Sequence, residues 1–260
     1  MIPTYLSIAG SDCSAGAGLQ ADLKTGFALG CYPLTAVTCV VSEVPGKVAG
    51  IVAMEPQFVA DQVRICLQNF PVAAIKTGML YSPEIVQAVT AELSNYGGPI
   101  VVDPVMIATA GEPLILREAI GVYEQSLMPR TTLLTPNLDE LTKLLGTEQP
   151  IITADDLQQA ALLLTRRYNC AVLAKGGHLG GDTCTDILVQ KDGTTHSWSH
   201  PRTLGISTHG TGCTLSSAIA AHLAHGHSLV GAVERSLQYI TRAIATSHRL
   251  GELWAVNHHG

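Results

Sequence analysis

An α/β fold with a mostly parallel central sheet and helices on both faces is predicted for this 260-residue chain by three observations. Apolar residues make up 47% of it and aromatic ones only 5%, so Ala, Val, Leu and Ile must fill the interior, as strands buried on both faces require. Short apolar runs alternate with stretches of helical periodicity. Each run also closes on a Gly, a Pro or a polar residue at or just past its end.

Taken in order, Tyr5–Ala9, Leu34–Val41, Ala73–Thr77, Ile100–Asp103, Leu133–Thr135 and Ala171–Lys175 read as buried strands. Between Gln57 and Phe70, the positions Val59, Val63, Cys66, Leu67 and Phe70 recur at three- and four-residue steps, which gives a helix one core-facing stripe. Ala154–Tyr168 and Cys213–Ala224 behave in the same way. Strand and helix alternating this often imply right-handed crossovers, and in such sheets the ligand lies beyond the carboxyl ends of the strands. Chemistry is therefore expected at the closing residues: Gly10-Ser11-Asp12, Lys76-Thr77-Gly78, Asp103, Asn137 and Lys175-Gly176-Gly177. No linker-like segment or solenoid repeat interrupts the series, so residues 1–260 are expected to form a single domain.

The net charge of −6 and the lack of any dense Lys/Arg run speak against a nucleic-acid partner. Met1 to Tyr5 carry no basic leader, and no window supplies the ~18 apolar residues of a membrane span. A cytoplasmic protein without a membrane partner is expected. The seven cysteines are odd in number and lack a paired C-x-x-C spacing, which argues against a disulfide framework or structural zinc.

The densest local signal is the stretch from Thr208 through His209, Gly210, Thr211, Gly212 and Cys213 to Ser217. Gly210 and Gly212 allow the backbone to turn its N–H groups toward an anion, and the helix after them adds its free amides and positive dipole end. An ordinary glycine-rich helix start would give the same pattern. Cys213 falls in the first turn, where the dipole is expected to lower a thiol pKa from about 8.5 toward neutrality and suit it to general-base work. A small packing residue is the competing reading. His209 lies beside the loop and either orients it or is satisfied locally, and the terminal pair His258 and His259 has no ligand partners nearby in sequence.

The run from Gly210 to Ser217 resembles the anion-hole signature of the hydroxymethylpyrimidine (phosphate) kinases of the ribokinase superfamily, whose other members usually carry Asp in place of the Cys. Five further blocks resemble that family in the same order. They are Ser7–Asp12 with Ala17–Lys24, Lys76–Leu80, Val101–Met106, Thr135–Glu140 and Lys175–His178. The resemblance implies a ribokinase-like, single-domain fold. It also implies ATP-dependent phosphorylation of 4-amino-5-hydroxymethyl-2-methylpyrimidine and then of its monophosphate, in thiamin biosynthesis. By the same resemblance Cys213, the loop Gly210-Thr211-Gly212 and Lys175 are catalytic, with Lys175 a point charge on ATP phosphate oxygens. Asn137, Lys175, Thr208, Gly210 and Gly212 are implied to bind the nucleotide. Asp103 and Glu140 are implied to hold Mg2+, although Asn137 and Glu140 also suit a helix cap. Gly10, Asp22, Glu43, Met79 and Val105 are implied to surround the pyrimidine, with Asp22 accepting from its exocyclic amine. A homodimer is implied as well.

Glu43 departs from the family, which usually has Gln there. Glutamine both donates and accepts, whereas an ionised carboxylate only accepts. A protonated ring nitrogen or a raised Glu43 pKa would then be needed. The alternative acceptor is therefore a B6 vitamer, pyridoxal or pyridoxine, with its more easily protonated pyridine nitrogen. A pyrimidine-binding sensor without catalysis is the third reading, against which stands the full set Asp103, Glu140, Lys175, Gly210, Gly212 and Cys213.

Overall fold

The computed structural model describes residues 2–106, 114–147, 149–177, 179–203 and 209–259. Nine strands form one sheet in the order β3-β2-β1-β4-β5-β6-β7-β8-β9. They are β1 (Thr4–Asp12), β2 (Tyr32–Val44), β3 (Lys47–Ala53), β4 (Val72–Thr77), β5 (Ile100–Val102), β6 (Leu133–Leu134), β7 (Ala171–Ala174), β8 (Thr183–Val189) and β9 (Thr195–Pro201). The pairings of β1 with β2 and β4, and of β4 through β7 in sequence, are parallel. The β2–β3, β7–β8 and β8–β9 pairings at the two edges are antiparallel. A small hairpin of β10 (His248–Leu250) and β11 (Leu253–Ala255) stands apart.

The helices are α1 (Gly18–Ala28), α2 (Pro56–Asn69), α3 (Pro83–Glu92), α4 (Arg117–Val122), α5 (Leu138–Leu145), α6 (Ala154–Tyr168), α7 (Thr211–Ala224) and α8 (Leu229–Ala245). Successive strand side chains point to opposite faces, so each central strand feeds two cores. Leu6, Ile8, Ile75, Ile100, Val102, Leu134 and Val172 join α2, α3, α5 and α6 on one side. Tyr5, Ala74, Val101, Leu133, Ala171 and Leu173 join α7 and α8 on the other. Burying each Leu, Ile or Val in this way contributes about 1.5–3 kcal/mol.

All six expected strands are present, and their carboxyl ends lie on one edge of the sheet. The three antiparallel strands β3, β8 and β9 are additional to them. The chain leaves β1 for β2 on one side and returns to β4 on the other, so β1 and β4 flank a switch point where a crevice opens. No helix among the described residues is long and apolar enough to cross a membrane. All seven cysteines are free.

Candidate active site

The crevice has a volume of about 420 Å³ and runs across the carboxyl ends of β1, β4, β5, β6 and β7. Gly10, Glu43, Met79, Asp103, Val105, Asn137, Glu140, Lys175, Gly210, Thr211, Gly212 and Cys213 all line it. Residues drawn from six separate sequence blocks thus meet in one cavity. Thr208 lies outside the described residues.

The loop after β1 is wound around Asp12. Its buried carboxylate accepts from the backbone N–H groups of Ser14, Gly16 and Ala17 at 2.7, 3.0 and 2.8 Å, and His209 Nε2 stands 3.1 Å from Oδ2. Burial raises the Asp12 pKa, but the bonds from His209, Ser14 and Ala17 outweigh it and hold the group at about 2. The loop ahead of α7 closes against this one. Gly210 has φ +80°, and a Cβ there would stand 1.8 Å from Gly16 O, so only glycine fits. Among the described residues no side chain caps α7.

Beside that helix start, Lys175 Nζ lies 3.2 Å from Asp103 Oδ1. Thr135 Oγ1 donates to the same oxygen at 3.3 Å, and Ser216 Oγ to Oδ2 at 3.2 Å. A Cβ placed on Gly212 would be 3.3 Å from Lys175 Nζ and 3.7 Å from Asp103 Oδ2, so the glycine amide, the ammonium and the carboxylate converge. Burial works against the Lys175 charge, yet Asp103 and Glu140 keep its pKa above the ordinary value. Glu140 is buried and closes a capping box with Asn137. Asn137 N donates to Glu140 Oε2 and Glu140 N to Asn137 Oδ1, both at 2.9 Å. Burial pushes the Glu140 carboxyl up to about 7, with Lys175 pulling down and Asp103 pushing further up.

Asp22 and Cys213 stand in surroundings that the sequence did not show, and for Cys213 the expected direction is corrected. Asp22, expected at the acceptor ring, is absent from the crevice wall, because both of its oxygens are bonded to Lys76 Nζ at 2.9 Å and to Ser7 and Ser217 hydroxyls. Cys213 does sit in the first turn of α7, but its thiol is pushed up to about 12 and not toward neutrality. Burial is the main cause and exceeds both the Lys76 charge and the backbone bond from Gly18 that favour the thiolate. Glu43 agrees with its expectation in direction: burial, then the Asp12 charge, raises its pKa, with His209 working the other way.

Four groups in or beside the crevice gain a specific place only from the structure, Lys76 among them although its strand end was expected to carry chemistry. Lys76 lines its floor, and a Lys within the apolar run Val72–Thr77 was the available signal, since a buried ammonium requires a partner. Asp186 accepts from Gly176 N at 2.9 Å and so fixes the turn after Lys175. Leu215, Leu237, Ile240 and Ile244 form an apolar wall from α7 and α8. His258 is buried, with Nε2 3.1 Å from Thr214 Oγ1, one residue past Cys213, and the pair is 44 residues apart in sequence.

Comparison with known proteins agrees with this geometry. The family model described as phosphomethylpyrimidine kinase matches residues 12–257. A thiamine biosynthesis bifunctional protein of Geobacter sulfurreducens is 43% identical over 95% of this chain, and a hydroxymethylpyrimidine/phosphomethylpyrimidine kinase of Streptomyces coelicolor is 40% identical over 96%. The chain spans 50% of the length of the first and 91% of the second. Among solved structures, an ADP complex of Bacillus subtilis pyridoxal kinase superposes with a TM-score of 0.91 at 30% identity, covering 99% of this chain and 98% of that one.

Proposed function

The chain belongs to the phosphomethylpyrimidine kinase family, and from that premise we propose that it phosphorylates 4-amino-5-hydroxymethyl-2-methylpyrimidine and then the resulting monophosphate with ATP. The observation that carries the reading is the convergence of Lys175, Asp103 and the Gly212 backbone at the start of α7, which no side chain caps among the described residues. Phosphoryl transfer depends mainly on positioning and charge neutralisation around a loose transition state. The acceptor alcohol oxygen forms a bond to the γ-phosphorus while the bond to the β–γ bridging oxygen breaks, and ADP leaves with that electron pair. Lys175 and the α7 amides hold the phosphoryl oxygens as their charge shifts. The alcohol proton passes to the Cys213 sulfur, which must first be a thiolate.

Asp103 and Glu140 would hold a magnesium ion. The donor set fits. Two buried carboxylates stand beside Lys175, and the Asp103 charge makes Glu140 harder to ionise, a cost that a bound cation would relieve. Magnesium characteristically takes one or two carboxylates alongside phosphate oxygens. When bound, it neutralises charge on the transferring group.

The second reading is a B6-vitamer kinase, favoured by Glu43 at the crevice and by the TM-score of 0.91 to a pyridoxal kinase. ADP release with Mg-ATP and each acceptor, measured side by side, separates the two. Higher kcat/KM on the pyrimidine is expected, and a preference for pyridoxal or pyridoxine overturns it. Glu43→Gln is expected to move that preference or the pH profile. Pyrimidine binding without ADP release from either acceptor would establish the sensor reading. A homodimer belongs to the same proposal, supported by the exposed outer edge of β3, where Val52 is 69% exposed. A monomer mass in sedimentation removes it.

A further inference from the structure

Lys76 and Asp22 form a buried ion pair to which the phosphoryl transfer itself assigns no task. Both side chains are 0% exposed, and Lys76 Nζ donates to both Asp22 oxygens at 2.9 Å. Ser7 Oγ donates to Oδ2 at 2.5 Å and Ser217 Oγ to Oδ1 at 2.6 Å, so the carboxylate is fully engaged. Replacing such a pair by apolar side chains is often neutral or stabilising, so a fold has little need of it for stability. Its position suggests another use. Lys76 is at once fully buried and part of the crevice floor. A Cβ on Gly78 would stand 2.9 Å from Nζ, so the glycine leaves room for the ammonium beneath the crevice. Ser217, which ties Asp22 to α7, lies four residues after Cys213, and residues so spaced share one helix face. The contact that locks α7 to the ion pair therefore places Cys213 over the same end of the crevice.

We propose that Lys76, clamped by Asp22, is a positioning residue of this site, the cation whose field lets the Cys213 sulfur carry a negative charge. The assignment rests on the kinase reading only for the use made of that thiolate. The charged groups that act on Cys213 through their fields are Lys76 from β4, Asp22 from α1, Asp103 after β5 and Lys175 after β7. Among them Lys76 acts most strongly on the thiol, against the burial that keeps it protonated, while Asp22 and Asp103 work with the burial. The two members of the ion pair thus pull the sulfur in opposite directions.

Alkylation of Cys213 by iodoacetamide, resolved by peptide mass spectrometry in the ligand-free protein, reads the thiolate fraction directly. At about pH 9, Lys76→Met is expected to slow it about tenfold, the equivalent of one pKa unit. Asp22→Asn is expected to accelerate it. Exposed Cys13 serves as an internal reference that neither variant changes. Both variants moving the rate the same way, as loosened packing would, overturns the proposal, and so does no change in either. Should circular dichroism show Lys76→Met unfolded, the double variant Lys76→Met/Asp22→Asn leaves no lone buried charge. It is still expected to react more slowly than wild type, and an equal or faster rate overturns the proposal. The readout needs no turnover, so a chain inactive on both acceptors would sink the kinase reading and leave the Lys76 assignment standing.

Discussion

α5 and α7 both begin at the carboxyl edge of the sheet and both aim a positive dipole end into the crevice, but their first turns are built differently. α5 is shut by its own side chains, Asn137 and Glu140, in a reciprocal cap. α7 starts on Gly210 in the left-handed region, with no capping side chain among the described residues. Ahead of α1, whose start likewise has no capping side chain, the Asp12 carboxylate accepts from the Gly16 and Ala17 amides of the preceding loop as a built-in anion. Helix starts carry unpaired N–H groups that something must satisfy. At α5 a side chain supplies the partner, whereas the start of α7 lies beside the Lys175 ammonium, a setting that suits an external anion.

If α7 is the reacting end, the largest effect comes from Lys175→Met. It should lower kcat about 10²- to 10³-fold in a steady-state ADP assay, the scale of losing one preorganised charge contact. A loss below tenfold in a folded variant would make α7 no more reactive than α5. Next, Cys213→Ala should reduce kcat about 10²-fold while leaving the KM for ATP nearly unchanged, as loss of a transition-state proton acceptor requires. Unchanged turnover removes the base role.

The loop wound around Asp12 and the capped start of α5 should respond in stability instead. Asp12 titrates lower in the folded chain than in the unfolded one. Its stabilising contribution is therefore complete above about pH 4 and vanishes as pH falls through about 2, amounting to about 2 kcal/mol. Urea titrations across that range should show the slope in wild type and its loss in Asp12→Asn, and an identical slope in both dissolves the built-in anion. Smallest, Asn137→Ala should cost about 1 kcal/mol by the same titration at neutral pH. No loss there means that α5 is not held shut by its cap.

The strand-end residues were readable in advance because buried parallel strands write themselves as unbroken apolar runs, with the reactive residue where the run stops. β9 was not, since its burial alternates and Thr195–Pro201 is largely polar. The Asp22–Lys76 pairing was illegible for a different reason. A carboxylate in a matched block looks the same whether it faces a ligand or a lysine 54 residues further along, and only the crossover geometry brings Lys76 to it. Cys213 shows the limit most sharply. The helix dipole is visible from position alone, whereas the enclosure that overrides it comes from α1, β4 and β5, which are remote in sequence.

The His258–Thr214 bond has a practical consequence for anyone handling the molecule. Tyr239 OH holds His258 by its carbonyl at 2.7 Å, so the segment around His258 acts as a tether on the first turn of α7. A label or insertion placed beside His258 pulls on that tether. One placed ahead of Thr4 enters at the opposite, amino edge of the sheet.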